Sequence, residues 1–181
     1  EVPFNDFDAL EKAIEENAKA YVNSFDNPKN LACFAVKSLS NISILKIIKD
    51  LGCGFDIVSG GELHRVLSIG ADPKKIIFSG VGKTEKEIEQ GIQTNILSFN
   101  VESASELYNI ERKAKDLNSS APISIRINPD IDSGGHDYIT TGRKGDKFGI
   151  SSIEDIFELC RYSSTSQNLN LVGLACHIGS Q

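Results

Sequence analysis

The sequence predicts an α/β fold: a parallel sheet covered by helices, built from a repeated strand–helix unit. Short continuous apolar runs recur along the chain, and each is followed by a stretch whose apolar residues fall at helical spacing. The runs read as apolar on both faces, as strands do when helices cover both sides of a sheet. No Pro/Ser-rich linker interrupts the alternation, so residues 1–181 read as one domain. Two architectures suit this pattern, a (β/α)8 barrel and an open doubly wound sheet.

The elements follow in order. Phe7, Leu10, Ile14, Tyr21, Val22 and Phe25 give an opening amphipathic helix, and "LACFAV" (31–36) is a strand of buried type. "NISILKIIKDLG" is a helix with Asn41 as its cap and Gly52 as its stop. "FDIV" (55–58) precedes the helix "GGELHRVLSIG", and "KIIFS" (75–79) precedes a helix that Thr84 and Glu87 open as a capping box. "ILSFNV" (96–101) leads into a helix for which Ser103 and Glu106 predict a second capping box. "ISIRI" (123–127), a long polar loop, a helix near 152–163 and "LVGLAC" (171–176) complete about six units, against the eight of a closed barrel.

Composition narrows the function. Net charge is −6, from 19 Lys+Arg against 25 Asp+Glu, which gives no electrostatic footprint for nucleic acid. The acidic N-terminus is unlike a signal or transit peptide, and no apolar run approaches membrane-spanning length, so the cytoplasm is the expected compartment. The four cysteines form no C-x-x-C pair, which speaks against a disulfide framework or a zinc site.

Active sites in both architectures lie beyond the carboxyl ends of the strands. The residues there are Lys37, Asp56, Ser59, Ser79-Gly80, Asn100, Arg126 to Asn128, and His177 with Ser180. Lys37 directly after "FAV" and His177 directly after "LAC" leave apolar surroundings, where desolvation favours the neutral forms. A neutral lysine amine is a nucleophile towards carbonyls. "GVGKT" (80–84) imitates a phosphate loop, but Ile77 stands where that motif needs its first glycine. "DIDSGGHD" imitates a calcium loop, but Gly134 and Thr141 occupy ligand positions. The three histidines lack zinc spacing, with His64 expected on a solvated helix face. No G-x-S-x-G is present, and no G-x-G-x-x-G follows a strand.

"FAVKSLSN", "GFDIVSGGEL", "IIFSGVGKTEKEIE", "FNVESASEL", "IRINPDID", "YITTGRKGDKFGI" and "HIGSQ" together resemble the diaminopimelate decarboxylases, in the same order. These are pyridoxal-phosphate enzymes of the alanine-racemase barrel type, related to the ornithine and arginine decarboxylases. The resemblance implies an incomplete (β/α)8 barrel of about six of eight strands, with the family's C-terminal β domain absent and the chain a fragment of a homodimeric enzyme. It implies pyridoxal 5'-phosphate as cofactor and meso-2,6-diaminopimelate as substrate, converted to L-lysine. Lys37 is similar to the lysine that carries the cofactor, with small Ala35 beside it. Asp56 matches an aspartate near that lysine, Glu62 a supporting carboxylate, Arg126 a cofactor-side arginine, His177 the histidine stacked on the pyridine ring and Ser180 a ligand of the phosphate. Another amino-acid or polyamine decarboxylase of this fold (ornithine, arginine or carboxynorspermidine) and a non-catalytic pyridoxal-phosphate-binding barrel are the alternatives.

Overall fold

The computed structural model describes residues 6–24, 26–27, 29–129 and 148–177. The described strands are β1 (Cys33–Ala35), β2 (Gly54–Ile57), β3 (Ile76–Phe78), β4 (Ser98–Val101), β5 (Ala121–Ile127) and β6 (Leu169–Cys176). They form one sheet in sequence order, and the pairs β1–β2, β4–β5 and β5–β6 are parallel. The helices are α1 (Phe7–Asn23), α2 (Ile42–Asp50), α3 (Gly60–Ser68), α4 (Glu85–Thr94), α5 (Ala104–Asp116) and α6 (Ile153–Thr165). All six predicted strands and their helices are therefore present. The chain groups into two compact units, Glu1–Ile77 and Phe78–Gln181.

In the first unit, α2 opens on Asn41, whose side chain accepts from the N–H groups of Ser43 and Ile44. Gly52, at φ +89°, follows α2 in a conformation that glycine adopts without steric cost. Leu45 and Ile48 of α2, and Leu63 and Val66 of α3, are buried one turn apart on each helix. They join Val36, Phe55, Ile57 and Ile76 in the core. β1 is shorter than its apolar run suggests, because Val36–Ser38 turn into a short 3-10 segment. The alternation of strand faces thus ends at Ala35 and does not reach Lys37.

In the second unit, the rings of Phe78 and Phe99 stack with centroids 5.9 Å apart. Burying each contributes roughly 1.5–3 kcal/mol. Phe99 lies against Gly91 of α4, where a Cβ would meet the ring at 2.5 Å. Helix and strand can approach this closely only because position 91 carries no side chain. The strands here are not apolar on both faces. Phe99 and Val101 alternate with Ser98 and Asn100, and the Ser98 hydroxyl hydrogen-bonds that of Ser124 at 2.9 Å. The face opposite Phe99 is thus polar at mid-strand, where burial demands a partner for each hydroxyl.

The box at Thr84 forms as expected: its hydroxyl accepts from the Glu87 N–H, and the Glu87 carboxylate accepts from the Thr84 N–H. The second predicted box is only half formed. Ser103 caps α5 by accepting from the Glu106 N–H, but the Glu106 carboxylate accepts from the N–H of Glu102, one residue earlier, at 2.6 Å. The cause lies in the cap backbone. Thr84 sits at φ −75°, whereas Ser103 sits at φ −158°, which turns the cap's own N–H away from the carboxylate.

Candidate active site

In the first unit, Ala35 stands opposite Asp56 in the β1–β2 register, so both point to one face of the sheet. Cys33, two residues before Ala35, shares that face. Its thiol is pushed up to about 11 by burial, then by the Asp56 carboxylate and Cys53, against an opposing effect of Lys75. Lys37 follows β1 within the 3-10 turn and is exposed, so the described residues do not supply the desolvation expected of it. Among them its ammonium has no hydrogen bond or ion pair. Ser59 caps α3 and accepts from the Glu62 N–H, while the Glu62 carboxylate accepts from the Val58 N–H at 2.7 Å. Both side chains therefore secure the β2–α3 turn beside Asp56. His64 is exposed on α3, as expected.

In the second unit, "GVGKT" has a structural use. Gly80 takes φ +98° in the turn after β3. The Lys83 side chain folds back, 1% exposed, and its ammonium donates to the carbonyls of Gly80 (2.6 Å) and Asn100 (2.8 Å) and to Glu106 Oε1 (2.8 Å). The Phe78 ring lies 5.8 Å from the same nitrogen. Lys83 therefore ties the turn after β3 to the end of β4. Asn100 donates from Nδ2 to Ser79 Oγ at 2.9 Å across the same strands.

Arg126 lies near the end of β5, opposite Ala175 of β6. His177 follows β6 directly and is half-buried. A bulge produces this register: Ile123 faces Leu171 but Ser124 faces Gly173, so Val172 is passed over. Without it Leu174 would stand opposite Arg126, since a one-residue slip moves every side chain to the other face. The bulge brings Ala175 onto the Arg126 face instead, with His177 two residues further on. Ser180, the predicted phosphate ligand, and the calcium-like loop lie outside the described residues.

Glu102, absent from the residues expected at the site, is buried and accepts from Arg126 Nη1 (2.7 Å), Gly80 N–H (3.1 Å) and Gly149 N–H (3.0 Å). Periodicity gave no warning of it, since Glu102 occupies an ordinary position before a helix cap. The one signal in the sequence is the contrast with the β2–α3 turn, where the corresponding residue is the apolar Val58.

The first unit carries, after β1, a lysine without a partner among the described residues, and the second carries an arginine near the end of β5. An amine can condense with an aldehyde, and a guanidinium can bind anionic oxygens. Residues 11–181 match the pyridoxal-binding domain of the pyridoxal-dependent decarboxylases, and the chain belongs to that family. It is 48% identical over 168 residues to diaminopimelate decarboxylase of Haemophilus influenzae, covering 93% of this chain and 40% of that one. The diaminopimelate decarboxylase of Helicobacter pylori is 47% identical over 176 residues, covering 97% of this chain and 42% of the relative. The chain thus spans about 40% of the length of these curated relatives. The crystal structure of the Helicobacter pylori enzyme complexed with L-lysine superposes with a TM-score of 0.86 at 44% identity, covering 97% of this chain and 43% of that one. The Paramecium bursaria Chlorella virus arginine decarboxylase bound to agmatine gives 0.77 at 25% identity, covering 94% and 43%.

The family's cofactor is pyridoxal 5'-phosphate, and the residues present fit it. Lys37 offers an amine with no competing partner among the described residues, whereas the ammonium of Lys83 is fully engaged. Arg126 has a guanidinium of five N–H donors, of which one finds an acceptor among the described residues. No helix among the described residues is long and apolar enough to cross a membrane.

Proposed function

We propose that the protein carrying this chain decarboxylates meso-2,6-diaminopimelate to L-lysine, with residues 1–181 contributing the first six strand–helix units of its pyridoxal-binding (β/α)8 barrel. The observation that carries the reading is the amine of Lys37 after β1, without a partner among the described residues, in a chain 44–48% identical to diaminopimelate decarboxylases over more than nine-tenths of its length. Pyridoxal phosphate, when bound, takes up the electron pair left on the substrate carbon as CO2 departs.

The chain's own residues then attach, orient and neutralise. Lys37 supplies the amine that attaches the cofactor. Asp56 sets a carboxylate beside it on the face shared with Ala35, whose single methyl leaves space there. Arg126 offers its remaining donors to the cofactor's oxygens. His177 orients the ring, and Ser180 binds the phosphate. A misplacement of about 1 Å can cost roughly a hundredfold in rate, so His177→Ala should lower kcat/KM on that scale while cofactor stays bound. We place the protein in the cytoplasm and, as the resemblance implies, read it as a homodimer.

Product analysis tests the assignment. The full-length protein, incubated with pyridoxal phosphate and separately with meso-diaminopimelate, ornithine and arginine, should release CO2 with the first and yield L-lysine. Turnover of ornithine or arginine in its place would transfer the assignment to the polyamine decarboxylases.

A further inference from the structure

Arg126 is held from several sides in the second unit. Its Nη1 donates to Glu102 Oε1 at 2.7 Å, and the Phe148 ring lies 5.1 Å from its Cζ, leaving 11% of the side chain exposed. Its backbone is clasped as well: the Ile150 N–H donates to the Arg126 carbonyl at 2.9 Å, and the Asn128 N–H donates to that of Ile150 at 2.9 Å. Gly149 makes the clasp possible. It sits at φ +75°, and a Cβ there would come within 3.1 Å of the Arg126 carbonyl oxygen. One carboxylate joins these parts, for Glu102, 2% exposed, accepts from Gly80 N–H, Gly149 N–H and Arg126. Glu106, itself paired with Lys83, accepts from the Glu102 N–H and so fixes its backbone.

A buried ion pair is weak evidence for stability, because desolvation of the two charges offsets much of their attraction. Here the carboxylate gathers donors from three separate segments and, among the described residues, takes only one of the arginine's five N–H groups. We propose that Glu102 is a positioning residue: it sets the height and orientation of the Arg126 guanidinium, and through it the seat of the cofactor's anionic oxygens. This rests on the reading of Arg126 as a cofactor-side residue.

The test is a double-mutant cycle on the full-length protein, read as the Kd for pyridoxal phosphate added to the apoprotein and as the circular-dichroism band of the bound cofactor. Glu102→Gln keeps the volume and one acceptor but removes the charge. It should weaken cofactor binding by about tenfold and alter the band, and Arg126→Met should weaken it at least as much. The double variant should bind no worse than Arg126→Met alone, because Glu102 acts through the arginine. Multiplying effects, or a Glu102→Gln protein with wild-type Kd and band, would overturn the inference even if its apoprotein melts earlier. Should the amide variant not fold, Glu102→Asp keeps the charge, shortens the reach by one methylene and carries the same cycle. Failure of Arg126→Met to change the Kd would instead overturn the cofactor-side reading of Arg126.

Discussion

The β2–α3 and β4–α5 corners share one sequence pattern and use it differently. Phe55, Ile57, Ser59, Glu62 and Leu63 recur at the spacing of Phe99, Val101, Ser103, Glu106 and Leu107. Both serines cap their helix from nearly the same backbone, φ −157° and −158°. Both glutamates reach past the cap to the preceding N–H, at 2.7 and 2.6 Å. That preceding residue is an exposed Val58 in one corner and a buried Glu102 in the other. Glu106 also binds a buried lysine, Lys83. The same contrast separates the two lysines that follow strands: Lys37 is exposed and unpaired among the described residues, and Lys83 is enclosed and paired. A lysine committed to two carbonyls and a carboxylate holds the fold, and a lysine left open can react.

The largest effect should separate the lysines by function. Lys37→Ala in the full-length enzyme should abolish decarboxylation while leaving the melting temperature of the apoprotein within a few degrees of wild type. Lys83→Met should act in the opposite way. It leaves the Glu106 carboxylate and two carbonyls without their donor and should cost about 3–5 kcal/mol in urea unfolding. Glu62→Gln removes a charge that has no ion pair among the described residues and should cost well under about 1 kcal/mol, whereas Glu106→Gln should approach the Lys83 variant. Equal losses for the two glutamates would erase the contrast between the corners.

Smaller changes test what the corners share. Ser59→Ala and Ser103→Ala each remove one cap acceptor and should each cost about 1 kcal/mol. A much greater loss at Ser103 would mean that its hydroxyl belongs to the charge network. The effect of Cys33, whose pKa of about 11 lies above its ordinary 9.0, is confined to alkaline pH. A thiol raised on folding stabilises fully below pH 9.0 and loses that contribution as pH climbs through about 11. Stability should therefore decline over that interval more in wild type than in Cys33→Ala, and iodoacetamide at pH 8 should modify Cys33 more slowly than an unstructured thiol.

Much of this was legible in the sequence because it is local. Asn41, Ser59, Thr84 and Ser103 start helices through partners within three residues, and the apolar runs locate all six strands. Three features were hidden because they depend on more than spacing. The destination of the Glu106 carboxylate depends on the cap's φ and on a lysine 23 residues away. The burial of Glu102 depends on Gly80, Arg126 and Gly149 converging from separate segments. The β6 bulge, which gives Arg126 its neighbour Ala175, shows in the run "LVGLAC" only as Gly173, and a glycine within a strand hints at a bulge without fixing the register.

The central claim is that Lys37, and not Lys83, carries the cofactor. Borohydride reduction of the full-length protein loaded with pyridoxal phosphate, followed by protease digestion and mass spectrometry, tests it directly. The reduced pyridoxyl group is expected on the peptide containing Lys37, with Lys83 unmodified. A label on Lys83, or on any lysine other than Lys37, would contradict it.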